Sequence, residues 1–284
     1  MRKQIILGLC LTFFCSACHE SIQEYPEEIV VEGWIESGGY PVVMLTKSFV
    51  VTSGEETNEE QSIVLSWAKV TVSDGEQSVV LTGDYDERYF PPYVYSSSRM
   101  RGTPGRTYHL TVEYEDRIAT AQTTIPMPAS LEALEVSPCA HQDSSYQITA
   151  TYEDNPETKD YYLFLTRIFN REERFYPSFL GVIDDVTLAE HNRHVVYPGV
   201  HTLTSEEHTY GLYYKETDSV QIKFARIDEA TYRFHKAYNE MVSLPNNALF
   251  ASDISLPSNI QGGLGYWCGY GVTKYNVVIS DSIR

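Results

Sequence analysis

A chain of 284 residues with 39 acidic against 21 basic side chains carries a formal charge of −18, which repels polyanions and excludes a nucleic-acid partner. Its 22 tyrosines and 13% aromatic content supply too much buryable ring surface for general disorder, and tyrosine in this abundance favours strands. The length suffices for one large domain or two ordinary ones, each with its own core.

The first element is an export signal. Arg2 and Lys3 precede the apolar run 5–14, and Ser16 and Ala17 supply small residues before Cys18. The run is too short to span a bilayer. Cys15-Ser16-Ala17-Cys18 has the order of a lipoprotein cleavage site, although leucine is commoner where Cys15 stands. Residues 1–17 are therefore expected to leave, and Cys18 to become an acylated N-terminus. Each methylene of its palmitate-class chains stabilises the anchor by about 0.8 kcal/mol. An ordinary secreted protein cut near Ala17 is the alternative. With Arg2 and Lys3 gone, 19 basic residues face 39 acidic ones, a mature charge of −20. Residues 18–27 are polar and acidic and read as a tether. Two cysteines then remain besides the anchor, Cys139 and Cys268; free buried thiols are favoured over the single bridge that they could form.

Residues 28–127 are predicted to be strands throughout. Segments 29–35 and 41–51 are rich in valine and isoleucine, and the acidic stretch 54–60 reads as a solvated loop. Segments 68–72 and 78–82 flank Asp74-Gly75, whose tolerance of positive φ predicts a hairpin. Segments 107–114 and 118–125 reverse at Glu115-Asp116. Pro126 and Pro128 mark the domain boundary, because paired prolines stiffen a connection and remove ladder donors. In residues 128–284, strands are predicted at 146–152, 161–169 and 220–227, and 171–212 reads as irregular. Asp228 caps a helix over about 229–243, with Ala230, Phe234, Ala237, Tyr238, Met241 and Val242 as its apolar stripe. A glycine cluster precedes the closing strand 272–279. The fold expected is mainly β: two immunoglobulin/fibronectin-like β-sandwich domains with one α-helix near the C-terminus.

Three segments carry a family likeness: Ile29-Val30-Val31-Glu32-Gly33-Trp34-Ile35, Gly105-Arg106-Thr107-Tyr108-His109-Leu110-Thr111-Val112, and Tyr232-Arg233-Phe234 followed by Asn259-Ile260-Gln261-Gly262-Gly263-Leu264-Gly265-Tyr266. Through them the mature chain resembles a family of Bacteroidetes outer-membrane lipoproteins catalogued as domain-of-unknown-function family 4249. Cys268 stands where the family pattern usually has glycine. The resemblance implies an outer-membrane location, on the periplasmic or the cell-surface face. It also implies a role beside TonB-dependent receptors, as an accessory in ligand capture or docking. It brings no catalytic residues.

The remaining constellations are read from the residues. Gly262, Gly263, Gly265, Gly269 and Gly271 follow a helix and precede a strand, the reverse of a dinucleotide fingerprint, so a tight backbone crossing beside Tyr266 and Trp267 is expected. His191 and His194 with Glu190, His201 and His208 lack the helical spacing that would aim them at one metal, and no metal or other cofactor is assigned. Asp84-Tyr85-Asp86 lacks the rest of a calcium loop. No nucleophile elbow, zinc-protease helix or phosphate loop is present, so no catalytic residue is named. The best ligand-contact segment holds Tyr89, Phe90, Tyr93 and Tyr95, with Pro91 and Pro92 keeping it out of a central strand. The leading expectation is a non-enzymatic lipoprotein that binds a small ligand or glycan. A surface adhesin or fimbrial component and a glycan-active hydrolase are the alternatives.

Overall fold

A computed structural model describes residues 27–48, 63–140, 144–153, 157–169, 171–184, 192–199, 212–243 and 256–279. The signal, Cys18, the tether up to residue 26, the loop 54–60, Glu190, His191, His201 and His208 lie outside these residues. Among the described residues the elements run β1 (Ile29–Glu36), β2 (Val42–Lys47), β3 (Lys69–Ser73), β4 (Ser78–Val80), β5 (Thr82–Tyr85), β6 (Tyr93–Ser96), β7 (Thr107–Tyr114), β8 (Arg117–Thr124), β9 (Leu131–Pro138), β10 (Ser145–Tyr152), β11 (Tyr161–Ile168), β12 (Tyr176–Asp184), β13 (Asn192–Val196), β14 (Tyr214–Lys215), β15 (Ser219–Ile227), α1 (Glu229–Ser243) and β16 (Leu264–Val278). The protein is mainly β, with its helix near the C-terminus.

Local turn chemistry accounts for the short connections. Gly75 sits at φ +88°, and the Asp74 carboxylate accepts from the N–H groups of Glu76 and Gln77 at 3.1 and 2.9 Å, closing the β3–β4 hairpin. Tyr114 faces Arg117 across the two-residue turn between β7 and β8, with Glu115 at φ +53°.

The organising element is β16. Its first half, 264–270, lies parallel to β1, and its second half, 271–278, lies antiparallel to β15. One eight-stranded sheet results, in the order β12-β11-β15-β16-β1-β2-β6-β5. The closing strand therefore starts at Leu264 rather than at 272, because the glycines extend it. A Cβ at Gly265 would stand 1.9 Å from the Val31 carbonyl oxygen, and one at Gly269 would stand 2.7 Å from that of Thr124. Only backbone without side chains passes so close. This is the crossing expected at the glycine cluster. Trp267 is fully buried within it and donates its indole N–H to the Tyr108 carbonyl at 3.1 Å. The strands expected within 28–127 thus form their sheet together with residues from the far end of the chain.

Two smaller sheets cover one side of the large one. The sheet β4-β3-β7-β8 brings Val70, Val72, Leu110 and Val112 against Ile29, Val31, Ile35, Val43 and Trp267. The sheet of β9, β10, β13 and β14 brings Ile148, Ala150, Tyr152 and Val196 against Tyr162, Phe164, Ile222 and Phe224. Each pairing is a sandwich core of interdigitated apolar side chains. Strands β5, β6, β9, β12, β13 and β14 were not anticipated, β12 and β13 because 171–212 carries no clean alternation, and β6 lies between β2 and β5 despite the prolines before it.

The opposite side of the large sheet holds a third cluster with Tyr161, Leu163, Ala225, Cys268 and Tyr270, against which Trp34, Phe175, Tyr232 and Tyr266 pack. Helix α1 lies over part of it. Asp228 caps the helix as expected, accepting from the Thr231 N–H at 2.8 Å. The buried side of α1 is not the full apolar stripe: Thr231, Phe234 and His235 are buried, whereas Ala230 and Met241 are exposed. Of the two polar members that turn inward, His235 finds a hydroxyl partner, whereas the Thr231 hydroxyl is buried without a hydrogen bond. His235 Nε2 lies 3.2 Å from the Tyr270 hydroxyl. No helix among the described residues is long and apolar enough to cross a membrane.

Candidate ligand-binding face

Strand alternation creates the site. On β1 the odd residues enter the sandwich core, so Glu32, Trp34 and Glu36 project to the opposite face. Lys223 of β15 and Lys274 of β16 project there as well: Lys223 pairs with Glu36, and Lys274 Nζ lies 3.0 Å from the same carboxylate. Only 12% of the Lys223 side chain and 13% of the Glu36 side chain are exposed, so water screens this pair weakly. Burial alone would raise the Glu36 carboxyl, but the two ammonium groups outweigh it and hold the group below the usual carboxylate range.

Two loops meet over this floor. From the β5–β6 connection comes Tyr89, whose ring centroid lies 6.1 Å from that of Trp34. From the β11–β12 connection come Arg174 and Phe175, and Tyr176 opens β12. Arg174 Cζ lies 5.1 Å from the Tyr89 ring centroid and 4.6 Å from that of Tyr176. Phe175 receives Lys223 Nζ at 4.2 Å from its centroid and Arg167 Cζ at 5.5 Å. Such cation–ring contacts are worth about 0.5–2 kcal/mol each, the larger values where water is excluded. Glu32 lies deeper. Its burial pushes the carboxyl up, partly offset by a hydrogen bond from the Tyr266 hydroxyl and by the charge of Arg174.

The four aromatic residues expected to contact ligand divide into two groups. Tyr89 and Phe90 belong to the loop, and Phe90 is 45% exposed. Tyr93 and Tyr95 are on β6 and turn toward the sandwich core. Tyr95 is 2% exposed, donates its hydroxyl to the Leu65 carbonyl at 2.6 Å and accepts from the Ala68 N–H at 3.0 Å. The Tyr93 hydroxyl donates to the Ser66 carbonyl at 3.0 Å. Both hydroxyls stitch the segment 65–68 to the sheet, which makes these rings packing groups. Trp34, Arg174 and Tyr176 were not anticipated as site residues. The one legible signal was Trp34, a large ring at an even position of a strand whose odd positions are the apolar core.

The other constellations are placed as follows. His194 stacks on Phe164 at 5.3 Å, and burial lowers its pKa to about 4. Asp86 is held by Arg88, with Nε 2.8 Å from Oδ1. Among the described residues, no group of three or more histidine, cysteine or acidic side chains is placed to hold a metal ion. Cys139 and Cys268 are free, and of the two Cys268 is the buried one. A cavity of about 480 Å³ beside the start of α1 is lined in part by Asp228, Thr231, Arg233, Tyr266 and Cys268. Burial pushes the Cys268 thiol up to about 12, and His235 down to about 4, with its ring nitrogen directed at Tyr270. Among the described residues no imidazole is bonded to this thiol, and burial favours its protonated form.

No curated protein matches the chain. A family described as "Domain of unknown function (DUF4249)" matches residues 19–276, which takes in both sandwiches, α1 and nearly all of β16. The chain belongs to the DUF4249 family.

Proposed function

We propose that the protein is a lipid-anchored capture component of the outer membrane that binds a small ligand or glycan and hands it to a TonB-dependent transporter without transforming it. Cys18 is the anchor in this reading, and residues 18–27 are the tether. The observation that carries it is the meeting of Trp34, Tyr89, Phe175 and Arg174 at one sheet face, with Arg174 also against the Tyr176 ring. Half-buried aromatic rings beside a few fixed polar groups are the composition of small-molecule sites, and flat rings suit the apolar faces of sugars. A rigid sheet supports them from below, so little ordering opposes binding.

Crosslinking of intact cells followed by purification of the protein tests the partner. Recovery of a TonB-dependent receptor is expected, and recovery of a polymer of pilus subunits instead would overturn the reading. Cell fractionation tests the anchor. Cys18→Ser is expected to release the folded protein from membranes; its retention there, with no receptor holding it, would contradict the lipid attachment.

A further inference from the structure

We infer that the ligand of this face carries a carboxylate, and that the guanidinium of Arg174 receives it. The inference rests on the reading of the face as a ligand site and adds the chemical class of the ligand.

Arg174 is set apart by what it lacks. Its contacts with Tyr89 and Tyr176 are made to ring faces and use none of its five N–H donors. Among the described residues none accepts a hydrogen bond from it and no carboxylate pairs with it, and its Nε is buried without a partner. A buried donor without an acceptor costs about 1–3 kcal/mol, a penalty that an incoming acceptor relieves.

Three acids of this face are already engaged. Asp86 is bound by Arg88 through both oxygens, Glu36 by Lys223 and Lys274, and Glu32 by the Tyr266 hydroxyl. Glu32 and Asp86 attract Arg174 without bonding to it. The guanidinium is thus held against rings with no hydrogen-bond acceptor among the described residues, in a chain whose overall charge is −18. Long-range electrostatics does not bring anions to such a protein, so a fixed, unsatisfied cation among aromatic rings marks a local preference. The shape of the donor set selects the anion. A guanidinium offers two parallel N–H groups in one plane, which match the two oxygens of a carboxylate. Lys223 and Lys274, the cations that would have to join it around a phosphate, are both directed at the carboxylate of Glu36. A sugar acid fits both halves of the site, with its ring against Tyr89 or Trp34 and its carboxylate on Arg174.

Calorimetric titration of the full-length lipoprotein in detergent with a galacturonate disaccharide, the neutral galactose disaccharide and inorganic phosphate tests this. The uronate is expected to bind about tenfold or more tightly than the neutral sugar, the scale of one charge-assisted bidentate contact. Arg174→Gln should abolish that preference, and Arg174→Lys, which keeps charge without the fork, should restore only part of it. Melting curves of both variants establish that the fold is intact. Equal affinity for the two sugars, a preference that survives Arg174→Gln, or phosphate binding as tight as the uronate would each overturn the inference. Neutral-sugar binding that depends on Trp34 but not on Arg174 would overturn it while leaving the capture reading standing. Failure of the whole panel to bind would overturn both.

Discussion

The two faces of the large sheet come from alternate residues of the same strands, and they differ in kind. On β1, Ile29, Val31 and Ile35 are at most 1% exposed and belong to the first sandwich core, whereas Glu32, Trp34 and Glu36 alternate with them and meet charges, rings and hydroxyls. On β16, Trp267 fills the first sandwich while Tyr266, Cys268 and Tyr270 belong to the other side. A period of two lets one strand commit half of its residues to folding and leave the other half for recognition. Stability should therefore respond chiefly to the sandwich face and to the backbone crossing, and binding to the opposite face.

Gly265→Ala tests the crossing and should have the largest effect. The residue sits at φ +102°, and a Cβ there would meet the Val31 carbonyl oxygen at 1.9 Å. A loss of about 4 kcal/mol or more in chemical denaturation is expected, or failure to fold. A loss below about 1 kcal/mol would mean that β1 and β16 are not neighbours as described.

Glu36→Gln tests a place where the recognition face itself contributes to stability. It strands Lys223 in a site from which burial already pushes its ammonium pKa down, and a loss of about 3 kcal/mol at neutral pH is expected. Because Glu36 is held below its unfolded value of about 4.5, the contribution of its charge is complete above that pH and fades as pH falls through the folded value. The difference between wild type and variant should shrink along that range. A difference that stays constant in acid would show that packing, not charge, is responsible.

The pH dependence of the wild type gives a smaller signal. His194 and His235 are both held near 4 from an ordinary value of 6.5, so the unfolded chain takes up their protons first. Stability from these residues is complete above about 6.5 and is lost as pH falls toward 4, by roughly 1–3 kcal/mol for each. His235→Gln, which can still hydrogen-bond the Tyr270 hydroxyl, should flatten the slope by about one proton. An unchanged slope would place His235 in contact with water.

Features written in neighbouring residues were legible before the fold was known. Asp74-Gly75, Glu115-Asp116 and the Asp228 cap each act over a few bonds, and each forms as its chemistry dictates. The parallel pairing of Val31 with Gly265 joins opposite ends of the chain, and nothing in either segment names its partner. The glycines announced a close approach without saying to what. The site was legible in half. Prolines 91 and 92 drew attention to Tyr89 and Phe90, but the same argument ran on into β6, where alternation sends Tyr93 and Tyr95 to the core side. Arg174 was hidden because its role depends on a second loop, from a stretch whose pattern reads as irregular. The helix misled for the converse reason: an apolar stripe was sought, while Thr231 and His235 are buried, the latter against the Tyr270 hydroxyl.

The division between faces is tested most directly by measuring galacturonate and galactose disaccharide binding and unfolding free energy together on wild type and Tyr89→Ala. The ring of Tyr89 spans Trp34 and Arg174 yet lies outside the sandwich cores. The account predicts that affinity falls about tenfold or more while stability changes by less than about 1 kcal/mol. Wild-type affinity in that variant, at unchanged stability, would contradict the assignment of binding to this face.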